Sequence, residues 1–326
     1  MIDVGNRLKV FSGRSNPTLT EAICNYLDIS PGRVQAETFP DGELFVRLLD
    51  DVRGRDVFVV QSTCHPINEN LMELLIFMDS LRRASASRIT AVLPYFGYAR
   101  QDRKEEGRVP ITAKLVSNLI REAGADRVLT MDLHAAQIQG FFDIPVDHLS
   151  AEPAFMHHFR GLLDSKQGTI VSPDVGNVKR ARSYAEKMGC DLAIIDKRRT
   201  SGSSAVMYNI IGDVEGRDVL MIDDMIATAG TLCEAVKIIR ERGARSIRGA
   251  ATHAVLAGPA VERLAAAGFS EVAVTDTIPV SREAARTIEN FKVLTVADIL
   301  GEAIARIHKH QSVSSLFNNQ DNARTP

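Results

Sequence analysis

Asp218-Val-Leu-Met-Ile-Asp-Asp-Met-Ile-Ala-Thr-Ala-Gly-Thr-Leu232 carries a strand, a loop and the start of a helix within fifteen residues. Val219 to Ile222 is a short apolar run that reads as a buried strand, ending in the adjacent carboxylates Asp223 and Asp224. A loop of small residues and hydroxyls follows, and apolar periodicity from Leu232 to Ile239 predicts a helix. Free N–H groups and the helix dipole make such a helix start a favourable place for a phosphate. The acid pair would repel that phosphate but accepts hydrogen bonds from sugar hydroxyls. The loop therefore reads as a cradle for a phosphorylated sugar.

The same strand-then-helix grammar extends outward in both directions. Residues 7–12, 56–60, 88–93 and 127–131 read as strands in the first half, and 169–171, 192–195, 219–222, 247–252 and 272–275 in the second. Amphipathic segments at 17–27, 68–83, 111–122, 178–188, 231–240 and 259–267 read as the helices between them. This alternation predicts an α/β fold of mostly parallel sheets with crossover helices. The halves also echo each other. Gly54-Arg-Asp-Val57 is matched by Gly216-Arg-Asp-Val219, and the Gly124, Val128, Asp132 spacing by Gly268, Val272, Asp276. Ile144-Pro-Val146 is likewise matched by Ile278-Pro-Val280. Anchors kept in order predict a duplicated domain. Where the second copy has its acid pair and loop, the first has Gln61-Ser-Thr-Cys-His-Pro66, so only the second keeps the cradle.

Bulk composition excludes several classes. A chain of 326 residues with 45% hydrophobic and 25% charged residues has room for two ordinary domains. No apolar run approaches the ~18 residues of a membrane span, and the N-terminus lacks a signal-peptide pattern. Cys24, Cys64, Cys190 and Cys233 are too scattered for a disulfide framework or zinc site. A net charge of -2 argues against a nucleic-acid surface. The expectation is a cytoplasmic protein without membrane or nucleic-acid partners.

Beyond the loop, Phe39-Pro-Asp-Gly-Glu43, Pro94-Tyr-Phe-Gly-Tyr-Ala-Arg-Gln-Asp102, Met131-Asp-Leu-His-Ala135, Ser172-Pro-Asp174 and Ser312-Val-Ser-Ser-Leu-Phe317 occur in order along the chain. Together these segments resemble the signatures of the ribose-phosphate pyrophosphokinase family. That resemblance implies two tandem type I phosphoribosyltransferase-like domains, residues 1–148 and 149–326, the tail of the second partly packed on the first. It also implies transfer of the diphosphoryl group of ATP, with Mg²⁺, to the C1 hydroxyl of ribose 5-phosphate. Carried over by motif, Asp223, Asp224, Ala227, Thr228, Ala229, Gly230 and Thr231 are expected to hold ribose 5-phosphate, with help from Arg199. Lys197 and Arg199 are the expected catalytic cations, followed by a mobile loop at 200–204. Phe39, Asp41, Gly42, Glu43, Arg100 and Gln101 are the expected ATP contacts. His134 and Asp174, with Asp132 in support, are the expected metal positions, and Arg53, Ser312 and Ser314 an allosteric region for phosphate or ADP. The family further implies a homo-oligomer, most often a hexamer, with ATP contacts across a subunit interface.

Three departures stand out. Ala227 replaces a common Asp, and Ala229 a common Gly, which is expected to bring a methyl close to the phosphate. Asn177 stands where many relatives have a second Gly, in a turn expected to need left-handed tolerance. Asp51 replaces a Ser in the effector region, and an acid there should weaken phosphate activation or ADP inhibition. Two other readings fit parts of the pattern: a non-catalytic regulatory homologue that binds active synthetase subunits, and a type I phosphoribosyltransferase acting on a base.

Overall fold

The computed structural model describes residues 7–161, 167–199 and 206–316. Its first half runs β1 (Leu8–Ser12), α1 (Pro17–Tyr26), β2 (Val34–Thr38), β3 (Leu44–Leu48), β4 (Asp56–Val60), α2 (Ile67–Arg83), β5 (Arg88–Leu93), α3 (Thr112–Ala123), β6 (Arg127–Met131) and β7 (Val146–Leu149). Five of these strands form a parallel sheet in the order β1-β4-β5-β6-β7, while β2 and β3 pair separately as a hairpin. Every residue of β4 is buried, as expected for a strand covered on both faces, and this is why it reads as an unbroken apolar run. Asn16 starts α1 by accepting from the Leu19 N–H at 3.3 Å, with Pro17 at the first helical position.

The second half runs α4 (Glu152–Phe159), β8 (Gly168–Ser172), α5 (Val178–Met188), β9 (Asp191–Arg199), β10 (Val206–Ile211), β11 (Asp218–Ile226), α6 (Gly230–Glu241), β12 (Ser246–Ala254), α7 (Ala260–Ala267), β13 (Glu271–Thr275), α8 (Arg282–Thr287), β14 (Phe291–Leu294) and α9 (Ala297–His308). Its sheet is ordered β10-β9-β8-β11-β12-β13-β14, parallel except for β10. Removing each hairpin leaves the same order twice, β1-β4-β5-β6-β7 and β8-β11-β12-β13-β14, so the internal echo is a duplicated sheet. Gly54 and Gly216 hold matching turns at φ +67° and +65°, a left-handed backbone that glycine adopts without a Cβ penalty. No described helix is long and apolar enough to cross a membrane.

The chain divides into two compact units. The first unit holds residues 7–151, Thr277–Pro279 and residues 295–316; the second holds Glu152–Asp276 and Val280–Leu294. Thr277 joins the first because its carbonyl accepts from the Ser62 hydroxyl at 2.5 Å. The last helix joins it because α9 buries Leu300, Ala303, Ile304 and Ile307 and packs on α1. Gly301 makes that approach close: a Cβ there would lie 2.5 Å from the Tyr26 ring. The C-terminal end of α9 is tied to the sheet. Arg88 gives Nε and Nη2 to the Asp56 carboxylate at 2.8 and 2.5 Å and Nη2 also to the Ile307 carbonyl at 3.0 Å, while His308 Nδ1 lies 2.8 Å from Asp56 Oδ2.

Element ends differ from the sequence reading where polar residues lie in strands. Strand β9 runs on through the charged residues 196–199 because β10 pairs with it up to Arg199 and Val206. Strand β11 passes through both acids to Ile226 because β12 pairs with it beyond that point. The β2–β3 hairpin, rich in half-exposed polar residues, carries no strong period. The loop expected at 200–204 and the tail beyond 316 lie outside the described residues.

Asp56 is the hub of the α9 tie and is 9% exposed. Asp56→Ala strands a half-buried guanidinium and is expected to cost about 2–4 kcal/mol. The readout is a lower urea midpoint at unchanged slope, with Asp56→Asn losing less.

Candidate active site

In the second unit, β8 and β11 pair only from Gly168/Asp218 to Val171/Met221, and then part. From β8 the chain turns through α5 to β9 on one side; from β11 it turns through α6 to β12 on the other. This reversal opens a crevice at the carboxyl ends of the two strands, the place where open α/β sheets take ligands. Ser172 Oγ donates to the Asp174 carbonyl at 2.6 Å, and Asp174 Oδ1 accepts from the Asn177 N–H at 2.9 Å, which shapes the wall after β8. Asn177 Nδ2 then reaches across to Asp223 Oδ1 at 2.6 Å. Its φ is −91°, so the expected left-handed turn is not used; Asn serves here as a side-chain donor.

Asp223 lies just past the last β8 pairing, and Asp224 is 4% exposed. Asp223 Oδ1 also accepts from the Asp224 N–H at 2.7 Å. Burial, then the hydrogen bond and charge of the Asp224 carboxyl against it, push Asp223 up to about 8, while the Asn177 bond pulls the other way. In the free protein, burial and the neighbouring carboxyl therefore favour the protonated form of Asp223.

Downstream, three successive carbonyls turn to one side. Ile226 O accepts from Leu256 N at 2.9 Å, Ala227 O from Ala257 N at 2.8 Å, and Thr228 O from Arg263 Nη1 at 2.9 Å. Ala229 follows in left-handed geometry, φ 57° and ψ 7°, and α6 begins. The first intrahelical bond at this end is Cys233 N to Ala229 O, so the N–H groups of Gly230, Thr231 and Leu232 precede any helical partner. A left-handed turn leading into a helix start forms an anion-binding nest. Thr228 and Thr231 are exposed beside it. Ala229 is 5% exposed and belongs to the hydrophobic core cluster that includes Leu232 and Val236, so its methyl points inward.

Strand β9 pairs with β8 only as far as Ser172/Ile194, so the backbone of 195–199 overhangs the same sheet edge, held by β10. This places Lys197 and Arg199 along that edge by backbone; their side chains lie outside the described residues. The edge thus brings together Asp174, Asn177, Asp223, Asp224, the 227–231 loop and the overhanging strand.

The remaining candidates belong to the first unit. Phe39, Asp41, Gly42 and Glu43 form the β2–β3 turn, where Gly42 N donates to Phe39 O at 2.9 Å and Glu43 N to Asp41 Oδ1 at 3.1 Å. Phe39 is 41% exposed and leans on Phe45, their centroids 5.5 Å apart, leaving ring surface open to a planar ligand. Arg100 is exposed after β5; Gln101 is tied to α3 through Thr112 Oγ1 at 2.6 Å. His134 is exposed after β6. Asp132 accepts from Ser150 Oγ at 3.3 Å and from Ala151 N at 2.9 Å, which ties the end of β6 to the chain after β7. Arg53 donates to Ser85 Oγ at 3.2 Å, Asp51 accepts from Arg53 N at 3.1 Å, and Ser312 and Ser314 follow α9.

Two features escaped sequence reading. Asn177 gave no sign of its bond to Asp223, and Arg263 lies far downstream on α7 with no local motif.

Fold and crevice define an α/β protein of the phosphoribosyltransferase-like class. Residues 8–124 match the model of the N-terminal domain of ribose phosphate pyrophosphokinase, and residues 199–318 that of the phosphoribosyl synthetase-associated domain. A ribose-phosphate pyrophosphokinase from Rhodopirellula baltica is 57% identical over 312 residues, covering 95% of this chain and 98% of that one. One from Synechocystis is 52% identical, covering 96% and 93%. The crystal structure of phosphoribosylpyrophosphate synthetase from Mycobacterium smegmatis superposes with TM-score 0.88 at 42% identity, covering 94% of this chain and all of that one. The chain belongs to the ribose-phosphate pyrophosphokinase family and is an enzyme of that type.

The buried acid pair makes stability depend on pH. An acid with a raised folded-state pKa contributes stability below its unfolded value and loses it as pH rises through the folded one. Asp223 is therefore expected to weaken the free protein between about pH 4 and about pH 8. At about pH 8.5, Asp223→Asn should be more stable than wild type by about 2–4 kcal/mol, the two converging near pH 4. Thermal melts across that range read the difference; parallel curves would count against a protonated Asp223.

Proposed function

We propose that the chain moves the β,γ-diphosphoryl group of ATP onto the C1 hydroxyl of ribose 5-phosphate, giving 5-phosphoribosyl 1-pyrophosphate and AMP. The C1 oxygen bonds to the β-phosphorus and its proton passes to solvent, while the bond from the β-phosphorus to the α,β-bridging oxygen breaks and its electrons leave on AMP. The observation that carries this reading is the loop whose carbonyls at 226, 227 and 228 all face away, beside a buried acid pair. Its N–H groups at 230–232 and the Thr228 and Thr231 hydroxyls suit the 5-phosphate; Asp223 and Asp224 suit the ribose hydroxyls.

Lys197 and Arg199 stand on the overhanging end of β9 and are assigned the role of neutralising charge that builds on the transferring phosphoryl oxygens. Arg199 also steadies the sugar phosphate. Phe39 stacks on adenine, Asp41 and Glu43 accept from its amino group, and Arg100 with Gln101 takes the nucleotide phosphates. Among the described residues no group of three His, Cys, Asp or Glu side chains is arranged to hold a metal alone. Asp174 uses one oxygen on Asn177 N, which leaves the other for a ligand, and His134 is exposed. Such a sparse donor set fits Mg²⁺ that arrives on ATP and keeps phosphate and water oxygens as most of its ligands. When bound, that ion withdraws charge from the phosphate oxygens. Ala227, with no acid to take a proton, leaves positioning and electrostatics as the means of rate enhancement. Arg53, Ser312 and Ser314 are assigned to an effector region for phosphate or ADP, which Asp51 weakens by repulsion. A homo-oligomer, hexameric in the first instance, is the assembly this reading implies, and the cytoplasm its compartment.

Protein mixed with Mg²⁺, ATP and ribose 5-phosphate is expected to release AMP only when the sugar phosphate is present. ADP in its place would mean single phosphoryl transfer and would sink the reading. Lys197→Ala should lower kcat by about 10²–10³-fold with an unchanged melting temperature.

A further inference from the structure

We infer that Arg263 is a positioning residue of the phosphate loop, fixing the Thr228 carbonyl so that the loop's N–H groups stay aimed at the sugar phosphate. This rests on the proposed function and extends its site beyond the family's loop motif. The loop turns three carbonyls away in succession, but they are not held alike. Ile226 and Ala227 are held by backbone N–H groups of Leu256 and Ala257, an extension of the strand ladder that any residues could supply. Thr228 alone is held by a side chain, Arg263 Nη1 at 2.9 Å. It is the last carbonyl before Ala229 swings into left-handed geometry and the first turn of α6 begins. A peptide flip at this point would aim the Thr228 carbonyl, an acceptor, into the cradle, and would repel the anion it is built to take.

The guanidinium is well placed to prevent that. Helix α7 is anchored by Ala260 and Leu264, 0% and 1% exposed, so Arg263 projects from a rigid platform. Arg263 Nη1 lies 3.5 Å from the point a Cβ on Gly230 would occupy, so the cation sits against the helix start itself. Its charge also reaches Cys233, whose thiol burial pushes up and Arg263 and Lys237 pull down. A hydrogen bond from a charged donor to a carbonyl is stronger than one between neutral groups.

The test uses full-length wild type, Arg263→Ala and Arg263→Lys. Kinetics with ribose 5-phosphate varied at saturating MgATP are paired with calorimetric titration of ribose 5-phosphate into nucleotide-free protein. Arg263→Ala should raise both KM and Kd for the sugar phosphate by about tenfold, the worth of one charge-assisted hydrogen bond. KM for ATP and the melting temperature should stay as in wild type, since Arg263 is exposed and touches no proposed nucleotide contact. Arg263→Lys, which keeps the charge and a donor, should recover part of the loss. Unchanged sugar-phosphate KM and Kd in Arg263→Ala overturn the inference, as does a parallel rise in KM for ATP or a fall in melting temperature. A wild type that binds ribose 5-phosphate but releases no AMP overturns the proposed activity alone, and the calorimetric comparison still decides on Arg263.

Discussion

The parting of β8 and β11 after Val171 and Met221 is the constraint on which the site depends. Up to that point both edges of β11 are satisfied by strand neighbours. Beyond it, the β12 side continues to Ile226 and Ala254, while the β8 side is left open. Backbone and side-chain polar groups on the open side must find partners from loops or ligands. Asn177 takes up Asp223 there, and the strand end at 226–228 is drawn to the opposite side by Leu256, Ala257 and Arg263. The crevice is thus a consequence of unequal pairing: one edge stays tied, the other faces a ligand.

The first unit carries the same topology with different residues at the matching strand end. Seven residues after Gly216 stands Asp223; seven after Gly54 stands Gln61. The Gln61 amide closes the gap between β4 and the chain after β1, accepting from Ser15 N at 3.1 Å and Ser15 Oγ at 2.7 Å and donating to the Asn70 carbonyl at 3.1 Å. Gly13 admits it: a Cβ there would lie 2.1 Å from Gln61 Oε1. Glu73, 1% exposed, takes Arg14 N and Arg14 Nε at 2.7 and 2.5 Å in the same region. A neutral amide and an ion pair therefore stand where the second unit has its acid pair, beside a cavity of about 240 Å³ lined by Arg14, Ser15, His65, Pro66, Glu69 and Asn70. That exchange frees the first unit's loops for other work, and its exposed Phe39 turn lies on the hairpin that stays apart from the main sheet.

Legibility followed burial. Residues 56–60, 88–93 and 127–131 read to the residue as β4, β5 and β6, since strands covered on both faces leave an apolar run with sharp ends. Strands β2 and β3 do not stand out as apolar runs because they are short and keep Gln35, Glu37 and Arg47 at the surface. The C-terminal helix was legible as a partial attachment only, because its docking on α1 depends on Gly301 meeting Tyr26 across most of the chain length. At the site, the loop and acid pair are local and could be read from order alone. Arg263 and Asn177 act across turns of the fold, so no local pattern marks them. The inward methyl of Ala229 shows the same limit: the residue was visible, its direction was not.

One tension in the loop's first reading then resolves. A dianionic phosphate beside two carboxylates would be costly, since two like charges about 4 Å apart repel by about 4 kcal/mol at an effective dielectric of about 20. The raised pKa of Asp223 means that the free pair carries one negative charge fewer than its two carboxyls suggest. On the proposed function, sugar hydroxyls that donate into the pair favour its ionised form. Phosphate and acid pair share one strand end on that proposal because a protonated Asp223 meets the phosphate with less repulsion than two carboxylates would.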